Sequence, residues 1–188
     1  MNLLNVYLVI SRQRNMKNFR QYLKKSKKNL FVLFLYSIFQ LFSPNATVAD
    51  QFFLNDHLVI DLKTGLEWMR CSVGQRWNGK NCIGEPVPLN HDDMEIVIKI
   101  ANEQLGDGWR LPSKDELLSL VCQSCGIPTI NQEIFPNTGA LPFWTGEPNP
   151  FAPNKYFKHF FTVNFYTGRP YGRFASYQDH LVRLARDR

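Results

Sequence analysis

Apolar and polar residues alternate from His57 to Leu62, break at Lys63-Thr64-Gly65, and alternate again from Leu66 to Met69. That period of two predicts a pair of half-buried strands joined by a turn, with Gly65 supplying the permissive backbone. The period then changes. Met94, Val97, Ile98, Ala101 and Leu105 fall on one face of a helix predicted over Asn90–Leu105. Asn90 is its cap, acidic Asp92, Asp93 and Glu95 lie where the helix dipole favours them, and Gly106 ends it. A second helix is predicted from Ser113 to about Val121, burying Leu117, Leu120 and Val121. Ser113 and Glu116 have capping-box spacing, with Pro112 just ahead.

Between these regions, Cys71–Cys82 (CSVGQRWNGKNC) is turn-rich and carries Trp77, which is expected to pack over a disulfide or meet a ligand. Gly126–Pro142 is irregular, with Ile127, Ile130, Ile134 and Phe135 as core anchors and a helical turn at Asn131–Phe135. Short strands are expected at Phe143–Thr145, Tyr156–Tyr166, Tyr171–Phe174 and His180–Ala185, with a loop over Gly146–Lys155. Helices followed by a group of antiparallel strands give an α+β class.

Length changes little: 188 residues make one ordinary domain. Charge changes more. The net +6 is carried by residues 1–49, which hold eight Lys or Arg and no acid, and the remainder has a net charge of −2. The basic balance is therefore a property of a leader and gives no reason to expect a nucleic-acid partner. Lys24–Lys28 is a positive n-region, Leu30–Phe42 an apolar core of 13 residues, and Thr47 and Ala49 small residues before Asp50. Residues 1–49 thus read as a secretory signal peptide cleaved before Asp50, with Met16 an alternative start and residues 50–188 the exported domain. The apolar run is short of the roughly 20 residues of a membrane span, so membrane contact is expected only through an uncleaved leader.

Export places Cys71, Cys82, Cys122 and Cys125 in an oxidising compartment, where an even count suggests two disulfides. Three pairings exist. Cys71–Cys82 and Cys122–Cys125 are favoured because each closes a short local loop. A four-cysteine zinc site would have a single Cys-x-x-Cys knuckle, and Cys122-Gln-Ser-Cys125 follows a helix rather than preceding one, against a redox role. His91 beside Asp92 and Asp93 reads as a solvated helix start. No nucleophile motif, HExxH or phosphate-cradling glycine loop occurs, so no catalytic residue is assigned.

The runs Val59–Cys71, Gly74-Gln75-Arg76-Trp77, Trp109-Arg110-Leu111-Pro112, Phe135-Pro136-Asn137, Phe143-Trp144-Thr145 and Val182-Arg183-Leu184 resemble the Lcl C-terminal domain family. This is a group of exported bacterial domains named for a collagen-like adhesin. The Arg-Leu-Pro-Ser…Glu-Leu run is also similar to formylglycine-generating enzymes and C-type-lectin-like domains. The resemblance implies a C-type-lectin-like fold: two helices on a twisted antiparallel sheet, with N- and C-terminal strands paired. It implies adhesion, through a glycan (sulfated or otherwise anionic) or an envelope protein, with self-association compatible. The alternative is a degenerate enzyme on the same scaffold, although no cysteine follows Cys125 to supply the reactive pair those enzymes use.

Three sets of candidate residues follow. Glu147-Pro148-Asn149 matches the tripeptide that holds calcium and sugar in mannose-type lectins, making Glu147 and Asn149 candidate ligands for a hard cation; no other cofactor is expected. The stretch 151–188 carries a net +5 against −7 for 50–150, making Lys155, Lys158, Arg169 and Arg173 candidates for holding sulfate or carboxylate. Trp68, Trp109, Arg110, Leu111, Pro112, Trp144 and Arg183 are expected to mark the fold, with Arg183 buried against Asp61 or Glu67.

Overall fold

The computed structural model describes residues 51–188; the leader and its cleavage point lie outside them. In chain order these residues form β1 (Phe52–Asn55), β2 (Leu58–Asp61), β3 (Leu66–Met69), β4 (Arg76–Trp77), β5 (Cys82–Ile83), α1 (Met94–Leu105), α2 (Lys114–Leu118), β6 (Pro142–Pro148), β7 (His159–Asn164), β8 (Arg169–Ala175) and β9 (Ala185–Asp187). Among the described residues no helix is long and apolar enough to cross a membrane. The α+β class holds, but the strands divide among three antiparallel sheets rather than one: β1-β2-β3-β9, β4-β5 and β6-β7-β8.

The expected hairpin is β2–β3, with Val59 opposite Trp68. The last strand closes the same sheet, placing Ala185 opposite Trp68 on β3. Strand β1 lacks an alternating pattern because it is the outer edge, with Phe53 57% and Leu54 41% exposed. Helix α1 is preceded by a 3-10 turn, His91–Asp93, in which Asn90 caps the Asp93 N–H. Helix α2 is shorter than its apolar pattern suggests, yet its capping box is complete: Ser113 accepts from the Glu116 N–H and Glu116 from the Ser113 N–H.

Two apolar clusters form the interior. One surrounds Trp68 with Leu117, Ile130, Phe135, Phe143 and Phe165; the other surrounds Trp144 with Met94, Trp109, Val182 and Leu184. Trp68 and Trp144 are fully buried, and Trp109 is nearly so.

Residues 180–184 lie outside the final strand, which begins at Ala185. Leu181 to Ala185 are all buried and bond to several elements in turn. Trp144 N–H donates to Leu181, Val73 N–H to Val182, Met69 N–H to Leu184, and Ala185 donates to Arg110. A segment threaded this way must be apolar on both sides, which its sequence satisfies except at Arg183.

Arg183 is fully buried, but not against a carboxylate. Its guanidinium donates to the Met69 and Arg70 carbonyls and to the Ser72 and Thr138 hydroxyls, and lies 4.8 Å from the Phe135 ring centre. Burial lowers its pKa to about 9, so it remains charged at neutral pH. The acids expected to meet it are committed elsewhere. Asp61 accepts the Lys63 and Thr64 N–H groups in the β2–β3 turn, and Glu67 pairs with Arg186 at 2.6 Å.

Both disulfides join the expected cysteines, Cys71 to Cys82 and Cys122 to Cys125. The first spans 11 residues and fixes β4–β5 against the β3 end. Its double alanine variant is expected to lose about 3 kcal/mol, the loop-closure value for that span, measurable by urea unfolding.

Candidate functional site

The stretch Gly106–Glu116 is scaffolding for what surrounds it. Gly106 and Gly108, at φ 84° and 93°, turn the chain off α1 in the left-handed region that glycine tolerates. Asn102 then receives the Trp109 N–H at 2.8 Å, seating the indole beneath Arg186, whose guanidinium lies 4.6 Å from the ring centre. Arg110 reaches both oxygens of Glu116 at 2.8 and 2.9 Å and Asp187 at 2.8 Å, so one fork joins α2 to β9. Glu116 is held below the usual carboxylate range, first by Arg110 and then by the Ser113 N–H. Leu111 and Pro112 are buried, whereas Arg110 is a half-exposed ion pair rather than a core residue.

A cleft of about 800 Å³ opens beside the start of α1. His91, Asp92 and Glu95 contribute to it from that start, Tyr156 and Lys158 from the β6–β7 loop, and Tyr177 from the chain after β8. The loop is positioned by backbone pairing, since Ser176 N–H donates to Lys158 and His91 N–H to Ser176. Tyr156 is 85% and Tyr177 62% exposed, so their rings are available. Lys158 and its neighbour Lys155 form no ion pair among the described residues, nor do Arg169 and Arg173. Carboxylates that accept hydroxyls, rings that offer an apolar face and an unpaired ammonium thus share one concavity of ligand-binding size.

The cleft's inner edge is aromatic. His91 stacks on Phe160 with ring centres 3.4 Å apart, and its Nε2–H donates to the Thr145 carbonyl. His180 lies 4.6 Å from Trp144 and 4.0 Å from Phe174, and its Nε2 is buried without a partner. Burial lowers both imidazole pKa values, outweighing the attraction of Asp92 on His91 and of Asp179 on His180. The unfolded chain therefore binds these protons more readily than the fold does. Stability is expected to fall as pH drops below about 6.5, with no further loss from these groups once pH passes below their folded values. Urea midpoints at pH 8 and pH 5 should show that fall, reduced in His180→Phe.

The remaining candidates do not converge. Arg173 is exposed on β8, two residues before Ala175, but Arg169 lies four residues further back, roughly 13 Å along the strand. Glu147 accepts the Lys114 N–H at 3.2 Å and its ammonium at 3.5 Å, while Asn149 donates to the Gly172 carbonyl at 2.7 Å and accepts from the Phe151 N–H. A cation there would have to displace the Lys114 ammonium. Among the described residues no three His, Cys, Asp or Glu side chains gather to hold a metal.

Trp77 lies elsewhere, in a groove of about 680 Å³ between α1 and the Cys71–Leu89 stretch. Its N–H donates to Asp56 at 2.7 Å and its ring lies under the Arg70 guanidinium at 4.2 Å, while β4–β5 pairing sets it opposite Cys82 of the first disulfide. This groove was not anticipated, although α1 signals it. Ile100 adds an apolar position beyond the single face an amphipathic helix needs, and it is 46% exposed.

No curated protein and no solved structure matches the chain. A family match does cover residues 57–186, taking in the β2–β3 hairpin, both helices, both disulfides, the cleft and β9 almost to its end. With most of its length inside that match, the chain belongs to the Lcl C-terminal domain family, a family of exported bacterial domains.

Proposed function

We propose that the domain is a non-catalytic recognition module that serves adhesion or envelope association by binding an anionic glycan, sulfated sugars included. The cleft at the start of α1 carries this reading. A sugar ring packs on Tyr156 or Tyr177, its hydroxyls donate to Asp92 and Glu95, and its sulfate or carboxylate meets Lys158. Family membership favours an adhesin-like role. The two helices, and a sheet that holds both the first and the last strand, support the C-type-lectin-like reading of the fold, although β9 pairs with β3 and lies at the edge opposite β1. The binding is read as metal-free, because Glu147 and Asn149 are already engaged.

A glycan array of sulfated, uronic and neutral sugars, run with and without chelator, tests this. Binding confined to the anionic glycans and unchanged by chelator is expected. Retention of neutral sugars alone, or loss with chelator, would contradict it. Lys155→Gln with Lys158→Gln should weaken binding roughly three- to tenfold, the scale of two exposed charge contacts.

A further inference from the structure

The groove that holds Trp77 has chemistry unlike that of the cleft. Its walls are aliphatic, with Val97, Ile100 and Leu105 from α1 facing Val73, Val87 and Leu89. Ile100, Val87 and Leu105 are each more than 40% exposed, a large apolar area for a surface to leave in water.

Most of its polar lining is already bonded within the protein. The Asp56 oxygens accept from Trp77 at 2.7 Å and contact His57 at 3.2 Å. The Gln75 amide serves the Ser72 N–H and the Gly84 and Asn137 carbonyls. A ligand that buried hydrogen-bonding groups here would find few partners and lose affinity. A hydrocarbon chain loses nothing.

One charged group is free. Arg76 is exposed and forms no ion pair among the described residues. With Arg70 over Trp77, two guanidiniums stand against the single Asp56 carboxylate, so the charge at this end of the groove is positive.

We propose that this groove binds the aliphatic chain of an anionic single-chain amphiphile of the fatty-acid class, stacked along Trp77, with the carboxylate at Arg76. The site is separate from the glycan cleft and does not depend on it.

Trp77 is the half-exposed tryptophan among four, the other three being buried, so its emission reports occupancy. The purified protein is titrated with hexanoate, octanoate, decanoate and dodecanoate below their micelle concentrations, followed by emission and calorimetry. Affinity is expected to rise about fourfold per added methylene until the groove is filled. Ile100→Glu should lose at least tenfold in affinity with an unchanged circular dichroism spectrum; should that variant misfold, Val87→Gln reads the same loss. Arg76→Gln should weaken dodecanoate severalfold and leave dodecanol unaffected. Affinity independent of chain length, or binding indifferent to both wall variants, would overturn the proposal. So would a groove that takes a leucine-rich peptide and none of the carboxylates.

Discussion

Arg183→Ala is expected to destabilise the domain by about 4–6 kcal/mol. Two buried carbonyls, Met69 and Arg70, would lose their donor, and an unsatisfied buried group costs about 1–3 kcal/mol each. The Ser72 and Thr138 hydroxyls lose an interaction as well, and Phe135 loses the cation against its ring. Since a domain's whole stability is about 5–15 kcal/mol, that loss is a large fraction of it and should lower the unfolding midpoint sharply. Arg183→Met separates the contributions. It restores apolar volume without the donors, so its loss should be smaller but still above about 2 kcal/mol. Urea unfolding measures both. A loss under about 1 kcal/mol for the alanine variant would mean that water replaces the guanidinium and that the threaded segment does not depend on it.

Trp144→Ala should cost about the same, by a different route. The indole is fully buried and contacts His91, Phe160, Phe174 and His180, and its N–H donates to the Leu89 carbonyl at 2.8 Å. Removing a buried tryptophan costs about 3–5 kcal/mol, and the orphaned carbonyl adds about 1 more. Trp144→Phe, which keeps a ring but not the donor, should lose about 1–2 kcal/mol. The alanine variant should also lose glycan binding, because His91 and Phe160 line the cleft and pack on this indole. Trp109→Ala, nearly as buried, should destabilise by about 3–5 kcal/mol.

The parts of this fold that were legible in the sequence are those governed by local chemistry. Asn90, the Ser113–Glu116 box, Gly65 and the two short-range disulfides each act within a few residues or one closed loop, so spacing alone identifies them. Arg183 was recognisable as buried but its partners were not, because its main acceptors are backbone carbonyls that any residue could present. Residues 180–185 read as a strand because their apolar pattern is the same whether they join one sheet or thread between several. The cleft was half legible. Lys155 and Lys158 stand out by charge, but the meeting of Lys158 with Asp92, Glu95 and Tyr177 depends on contacts about 20–80 positions apart in the chain. Arg169 was grouped with them because composition carries no distance. The aliphatic groove went unread for the same reason, since its two walls meet only after folding.

The most direct test of glycan recognition is a titration of a sulfated oligosaccharide in a series of salt concentrations, comparing the native protein with Lys158→Gln. The account predicts that affinity falls steeply as salt rises, and that the variant binds more weakly with a shallower dependence, because an exposed charge contact is both lost and no longer screened. Equal affinity and equal salt dependence in the two proteins would contradict it.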